Sequence, residues 1–338
     1  MLPFLLFVER LEKSNREAID FLVSACYYVI KGVDLVKIYT ITLNPAYDIH
    51  AYTKRFAPFR ENLAEVLTKN AGGKGVNISK ALNSVGVSST AVIVLGKENC
   101  AEFKEALSKE GINSIFFEKE GRIRENLTLH SENSPETRIS FSGFSLENGI
   151  FKEIESKLNI DDETIVTFTG RIPNGISKEK ALDFLKNLKI SGAKLVIDSK
   201  SLSLSEIYSL SPWLIKPNEE EISAYFESDI TSIEEAVSKA QILSQHGVEN
   251  VMVSLGDNGA LLITNGRLYK AHPPKIKAVS TIGAGDSAIA GFISAYISSA
   301  SPSECLKTAV SFGTAACLNE GTSEPQPKDI EDIYNKIK

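Results

Sequence analysis

The apolar residues of this chain gather in short unbroken runs. They are VKIYTITLN (36–44), STAVIVLG (89–96), TIVTFTG (164–170), AKLVIDS (193–199), WLIKPN (213–218) and NVMVSLG (250–256). Stretches such as LVI and VMV have no polar face, so they fit strands covered on both sides rather than the half-wet strands of an exposed antiparallel sheet. Between them lie longer segments of helical character: GVNISKALNSVGV (75–87), CAEFKEALSKEG (100–111), and residues 177–190 and 232–246. Strand and helix in alternation predict an α/β fold, a mostly parallel sheet flanked by helices on both faces. Residues 259–274 break the alternation and read as two strands turned at Asn265-Gly266, a pair that accepts the positive φ angles of a tight hairpin.

Two further stretches, 45–70 and 112–142, alternate polar and apolar positions without helical period, as in NLTLH and TRISFSGF. That pattern suits a small two-faced sheet, a β-lid, outside the main one. The body is therefore expected over 37–338, with these two stretches as the lid, and residues 1–36 as an N-terminal extension. The apolar run opening MLPFLLFVER is too short to span a membrane, and neither a basic leader nor a small-residue cleavage site accompanies it. Within REAIDFLVSACYYVI (16–30), Ile19, Leu22, Val23, Cys26 and Ile30 recur at three- and four-residue steps, the mark of one helical face. The extension is either an added helix packed on the body or an apparent one, translation beginning at Leu35 or Val36 through a non-ATG codon. The second reading is preferred, since the body has no evident need of the segment.

Composition narrows the partners. A chain of 338 residues with 43% hydrophobic content can build a core that needs no disulfide or metal staple. Its net charge of −6, with no lysine- or arginine-rich block, argues against a nucleic-acid groove, so any anion site must be local. Cys26, Cys100, Cys305 and Cys317 make no C-x-x-C pair, which suits a reducing cytoplasm. His50, His130, His246 and His272 are dispersed, without metal-ligand spacing.

Four motifs carry candidate chemistry. In STIGAGDSAIAGF (280–292), Gly283-Ala284-Gly285 runs into Asp286 at the start of a helix that is apolar nearly all round. The first N–H groups of a buried helix have no intrahelical partners and point, with the positive end of the dipole, at whatever lies beyond the turn. A carboxylate there opposes simple phosphate binding, but makes sense as a base that takes a proton from a hydroxyl attacking phosphorus. The plain structural reading is an aspartate capping a core helix. NAGGKGVN (70–77) lacks P-loop spacing, yet places bare backbone at Gly72 and Gly73, with Lys74 and Asn77, at another helix start; the plain reading is a capped loop. KPNEEE (216–221) follows a buried strand, where ligands bind in open α/β sheets, and sets Asn218 and Glu221 three residues apart; the plain reading is a helix cap with solvated glutamates. SLGDNG (254–259) ends a strand in a turn and would meet a nucleotide or be a turn alone.

Together and in this order, TLNPAYD (42–48), AGGKGVN (71–77), KPNEEE (216–221), SLGDNG (254–259) and STIGAGDS (280–287) resemble the ribokinase-like carbohydrate kinases, within them the phosphofructokinase-B branch. The resemblance covers roughly residues 37–335. It implies a mostly parallel sheet with a β-lid that often clasps a second subunit, and the use of ATP and Mg²⁺. By the same resemblance Asp286 is the base, and Gly283, Ala284 and Gly285 form the anion hole. Asp48 grips sugar hydroxyls, with Gly72, Gly73 and Asn77 completing that wall. Lys74 and Arg124 suit the substrate phosphate. Ser254, Leu255, Gly256, Asp257, Asn258 and Gly259 resemble the nucleotide wall, with Lys216, Gly285 and Asp286 beside it, while Asn218 and Glu221 resemble the residues that organise Mg²⁺ and phosphates. FTGRIPNG (168–175) departs from the pattern, with Arg171 where many similar kinases carry serine.

TLNPAYD, SGF (142–144), PWLIKPN (212–218) and VSTIGAGDS look closest to 1-phosphofructokinases, which phosphorylate fructose 1-phosphate. Tagatose-6-phosphate kinases and the minor fructose-6-phosphate kinases share most of these motifs and rank behind, in that order. A sugar-phosphate-binding regulator without catalysis is the reading from another class, opposed by the intact Asp286 behind its turn. Partners are thus expected to be a sugar phosphate, ATP and a second copy of the chain through the lid, with no nucleic acid and no membrane.

Overall fold

The unbroken apolar runs become the middle of a nine-stranded sheet. The computed structural model describes residues 36–319, 321 and 324–338. The readings of the N-terminal extension, its helix over 16–30 and the alternative start of translation, fall outside the described residues. The first half of the chain contains β1 (Ile38–Thr42), β2 (Ala46–Thr53), β3 (Glu65–Gly72), α1 (Lys74–Asn83), β4 (Thr90–Gly96), α2 (Cys100–Lys109), β5 (Asn113–Lys119), β6 (Arg124–Ser131), β7 (Thr137–Ile139), α3 (Ile150–Glu155) and β8 (Ile165–Thr169). The second half continues with α4 (Lys178–Ile190), β9 (Lys194–Asp198), α5 (Leu204–Leu210), β10 (Leu214–Ile215), α6 (Glu219–Phe226), α7 (Ile233–Gln245), β11 (Asn250–Ser254), β12 (Ala260–Thr264), β13 (Arg267–Ala271), α8 (Ala284–Ile297), α9 (Pro302–Ala316) and α10 (Pro327–Tyr334).

The large sheet has the order β13-β12-β11-β10-β9-β8-β1-β4-β5. Its pairs from β11 to β5 are parallel, and the β12–β13 hairpin is antiparallel at one edge. β8 is buried at every position, as its apolar run requires. One face packs on α3 to α7 through Phe151, Phe184, Ile207, Leu243 and their neighbours. Local sequence starts the helices: Ser177, Ser232 and Ser301 each accept an N–H in the first turn of α4, α7 and α9. The hairpin turns at Asn265 (φ 50°) and Gly266 (φ 70°), both in the left-handed region, as the Asn-Gly pair predicts.

A second sheet of four strands, β3-β2-β6-β7, stands apart. It accounts for most of the two alternating stretches but corrects the boundary of the second. Residues 113–119 are β5, paired in parallel with β4 at the edge of the large sheet. An edge strand is half exposed, so its pattern mimics that of a separate two-faced sheet.

Trp213, the single tryptophan of the chain, lies just before β10. It is buried edge-on against α8, its ring centroid 5.7 Å from that of Phe292 and 4.6 Å from that of Tyr296. Its indole N–H has no hydrogen-bond partner among the described residues.

Candidate active site

The parallel strands end on one rim, and the residues just beyond them line a cavity of about 730 Å³. That lies in the range of small-ligand sites. Asn44 follows β1, Thr169 ends β8, Asp198 ends β9 and Lys216 follows β10; each lines the cavity. The N-termini of α1 and α8 close it from the body, and the small sheet covers it with Asp48, Arg124, Asn126 and Arg138.

Asp286 sits in the first turn of α8 and is 5% exposed. Gly283 caps that helix at φ 80°, a left-handed turn that suits glycine and aims the first N–H groups of α8 at the cavity. Asn77 Nδ2 donates to Asp286 Oδ2 at 2.9 Å. Burial pushes the Asp286 carboxyl up to about 6; Asp198 pushes the same way, while Lys74 and the Asn77 hydrogen bond hold it back. Gly285 stands against Lys216, where a β-carbon would come within 3.0 Å of the ammonium.

Lys74 and Arg124 do not share partners. Lys74 Nζ pairs with Asp198 Oδ2 at 2.8 Å, and Lys216 Nζ is 4.0 Å from the same oxygen. Burial favours the neutral Asp198 carboxyl, but Lys216 and Lys74 overcome it and hold the pKa below the usual carboxylate value. Asp286 lies close enough to Lys74 to help keep the lysine charged. Among the described residues Arg124, by contrast, donates only to the carbonyls of Asn44, Pro45 and Phe141, at 3.3–3.4 Å.

On the small sheet, Asn126 Nδ2 donates to Asp48 Oδ1 at 3.0 Å, and Arg138 approaches the same oxygen at 3.6 Å. Asn77 and Asn126 therefore share a geometry. Each turns its amide donors to a carboxylate, which can only accept, and each Oδ1, itself buried, has no hydrogen-bond partner among the described residues. Gly73 is on the cavity wall, whereas Gly72 packs behind Asp48.

Asn218 and Glu221 form the reciprocal cap of α6. Asn218 Oδ1 accepts the Glu221 N–H at 2.8 Å, and Glu221 Oε2 accepts the Asn218 N–H at 3.0 Å. The cap of the plain reading thus holds, but the Glu221 side chain is only 10% exposed rather than solvated, and both Asn218 and Glu221 line the cavity. Ser254 bridges to Asn218, but the turn from Leu255 to Gly259 does not reach the cavity wall. His50 and His130, distant in sequence, meet across the small sheet with ring nitrogens 2.9 Å apart. Among the described residues no group of three or more His, Cys, Asp or Glu side chains is placed to hold a metal, and no helix is long and apolar enough to cross a membrane.

Sequence reasoning missed Asp198, Asn126 and Arg138. Asp198 had a usable signal, a carboxylate closing the buried run LVID at a strand's C-terminal end. Asn126 and Arg138 had none, because the pairing of β2 with β6 and of β6 with β7 brings them to Asp48.

Comparison with known proteins agrees with this geometry. A family model described as pfkB family carbohydrate kinase matches residues 37–329. A 1-phosphofructokinase of Haemophilus influenzae is 34% identical over 298 residues, 86% of this chain and 94% of its own length. A 1-phosphofructokinase of Bacillus subtilis is 33% identical over 290 residues, 85% of this chain and 95% of its own. Among solved structures, phosphofructokinase-2 from Escherichia coli in complex with substrates and products superposes with a TM-score of 0.85 at 30% identity, covering 89% of this chain and 99% of that one. Family model, relatives and fold match agree: the chain belongs to the pfkB family of carbohydrate kinases and is an ATP-dependent sugar kinase.

Proposed function

We propose that the chain transfers the terminal phosphoryl group of ATP to a hydroxyl of a ketohexose phosphate, converting fructose 1-phosphate to fructose 1,6-bisphosphate. The observation that carries this reading is Asp286, a buried carboxylate at a helix N-terminus whose pKa is pushed up to about 6. At neutral pH it is ionised yet basic enough to accept a proton from the attacking hydroxyl. The backbone N–H groups of Gly283, Ala284 and Gly285 hold the charge on the transferred phosphoryl group, together with the Lys74 ammonium. The pairing of Lys74 with Asp198, beside Asp286, favours this role over the resident phosphate of the substrate. Asp48, its carboxylate held by Asn126, receives sugar hydroxyls, with Gly73 and Asn77 completing that wall. Arg124 serves the resident phosphate. Lys216, Asn218 and Glu221 lie along the phosphate chain of the nucleotide, and Ser254 to Gly259 toward its base.

Mg²⁺ fits this site as an ion carried on the nucleotide. With no cage of three ligating side chains among the described residues, Asn218 and Glu221 would hold it through water, the usual arrangement for an ion that keeps much of its hydration shell. When bound it supplies neutralisation of phosphate charge.

Fructose 1-phosphate ranks first because relatives at 33–34% identity bear the name 1-phosphofructokinase. Fructose 6-phosphate is the second reading, favoured by the fold match to phosphofructokinase-2, and tagatose 6-phosphate the third. The small sheet acts as a lid, and the exposed Val66 and Leu67 of β3, with Leu63 just before it, support pairing with a second copy of the chain. An assay coupled to ADP release, with the three sugar phosphates side by side, tests the reading. Fructose 1-phosphate should give the highest kcat/KM; a higher value for either other sugar replaces the assignment, and no turnover with any of them refutes it.

A further inference from the structure

The cationic wall of the cavity is assembled from both sheets. Arg124 begins β6 and Arg138 lies in β7, both in the small sheet; Arg171 comes from the loop that follows β8 of the large one. All three line the same cavity. Their charge is weakly opposed. Arg124 has only backbone carbonyls, Arg138 has Asp48 at 3.6 Å, and among the described residues no carboxylate lies within ion-pair distance of Arg171. Burial lowers the pKa of Arg124, and the charges of Arg138 and Arg171 lower it further against the pull of Asp48, so the three side chains feel one another. Guanidiniums grouped in this way repel; a dianion among them, with several acceptor oxygens for planar forked donors, turns that repulsion into attraction.

We propose that Arg171 is the body-side half of a split phosphate site. It grips the phosphate already carried by the substrate from the large sheet, while Arg124 and Arg138 grip it from the small one. The bound phosphate then ties the two sheets together over the sugar, so recognition of a phosphorylated substrate and closure of the cover are one event. A serine at this position would offer a single neutral hydrogen bond and could not supply that charge. This inference rests on reading the chain as a ketohexose-phosphate kinase.

Arg171→Ser and Arg171→Lys, each compared with the wild type, test it. Arg171→Ser should raise KM for fructose 1-phosphate by about 10–100-fold, the worth of a charge-assisted hydrogen bond, and leave KM for ATP unchanged. Arg171→Lys should recover part of the loss. An unchanged KM for the sugar phosphate, or an equal rise in both constants, overturns the assignment. Calorimetric titration with inorganic phosphate keeps the two readings apart. If the wild type turns over none of the three sugar phosphates, the functional reading fails. The titration still decides the role of Arg171: weaker phosphate binding by Arg171→Ser supports the split site, and equal binding refutes it.

Discussion

Asp286 concentrates the conflict between folding and chemistry in one side chain. Its folded pKa of about 6 lies above the ordinary value of 3.8, so the folded protein holds the proton more tightly than the unfolded chain does. Stability therefore falls as pH rises from about 4 to about 6, and the cost of the buried charge persists above that window. Asp286→Asn removes this cost. The variant should melt no lower than the wild type at pH 8, while its turnover drops by roughly 10²–10⁴-fold, the usual worth of a general base. The wild-type kcat/KM should fall as pH drops through about 6, as this group becomes protonated. Near-normal turnover of the variant, or a flat profile across that window, would remove Asp286 from its role. Asp286 itself was legible in the sequence because its surroundings are local: a glycine turn before it and an apolar helix after it. Asp198, which positions Lys74 and Lys216, shows the limit, since its two partners come from α1 and from the segment after β10.

Elements were legible where one periodicity ruled the whole segment. The fully buried β8 and the Asn265-Gly266 hairpin follow from local pattern, whereas β5 was misplaced because an edge strand and a lid strand meet water in the same way. The start of α8 offers a test at this scale. Gly283 (φ 80°) and Gly266 (φ 70°) occupy the same left-handed region, one at the cavity and one in a hairpin with open space around it. Substitution by alanine should cost about 1–2 kcal/mol at either position, because a β-carbon is disfavoured there. Only Gly283→Ala should also lose turnover, since relief of the strain displaces the helix start that carries Asp286. Thermal melts and kcat measured on both variants check this. Equal activity in the two would mean that the position of the α8 N-terminus is not critical to the chemistry.

At the scale of the molecule, a chain of net charge −6 keeps a cationic wall by gathering three arginines where two sheets meet. No spacing in the sequence announced that wall, because its members lie on separate elements and become neighbours only when the small sheet covers the large. β3 of the same sheet and the segment leading into it leave Leu63 92%, Val66 62% and Leu67 50% exposed, more apolar surface than a lone cover would hold in water. Light scattering at micromolar concentration should give a dimer mass, and Leu63→Asp with Leu67→Asp should give a folded monomer; a monomeric wild type would refute pairing through this sheet. Trp213 adds an optical consequence. An indole buried without a hydrogen-bond partner among the described residues emits toward the blue end of its range, and its neighbours Phe292 and Tyr296 ride on α8, the helix that carries Asp286 in its first turn. With no other tryptophan in the chain to blur the signal, its fluorescence is a built-in, label-free reporter of any tilt of that helix, read in real time as nucleotide and sugar phosphate arrive.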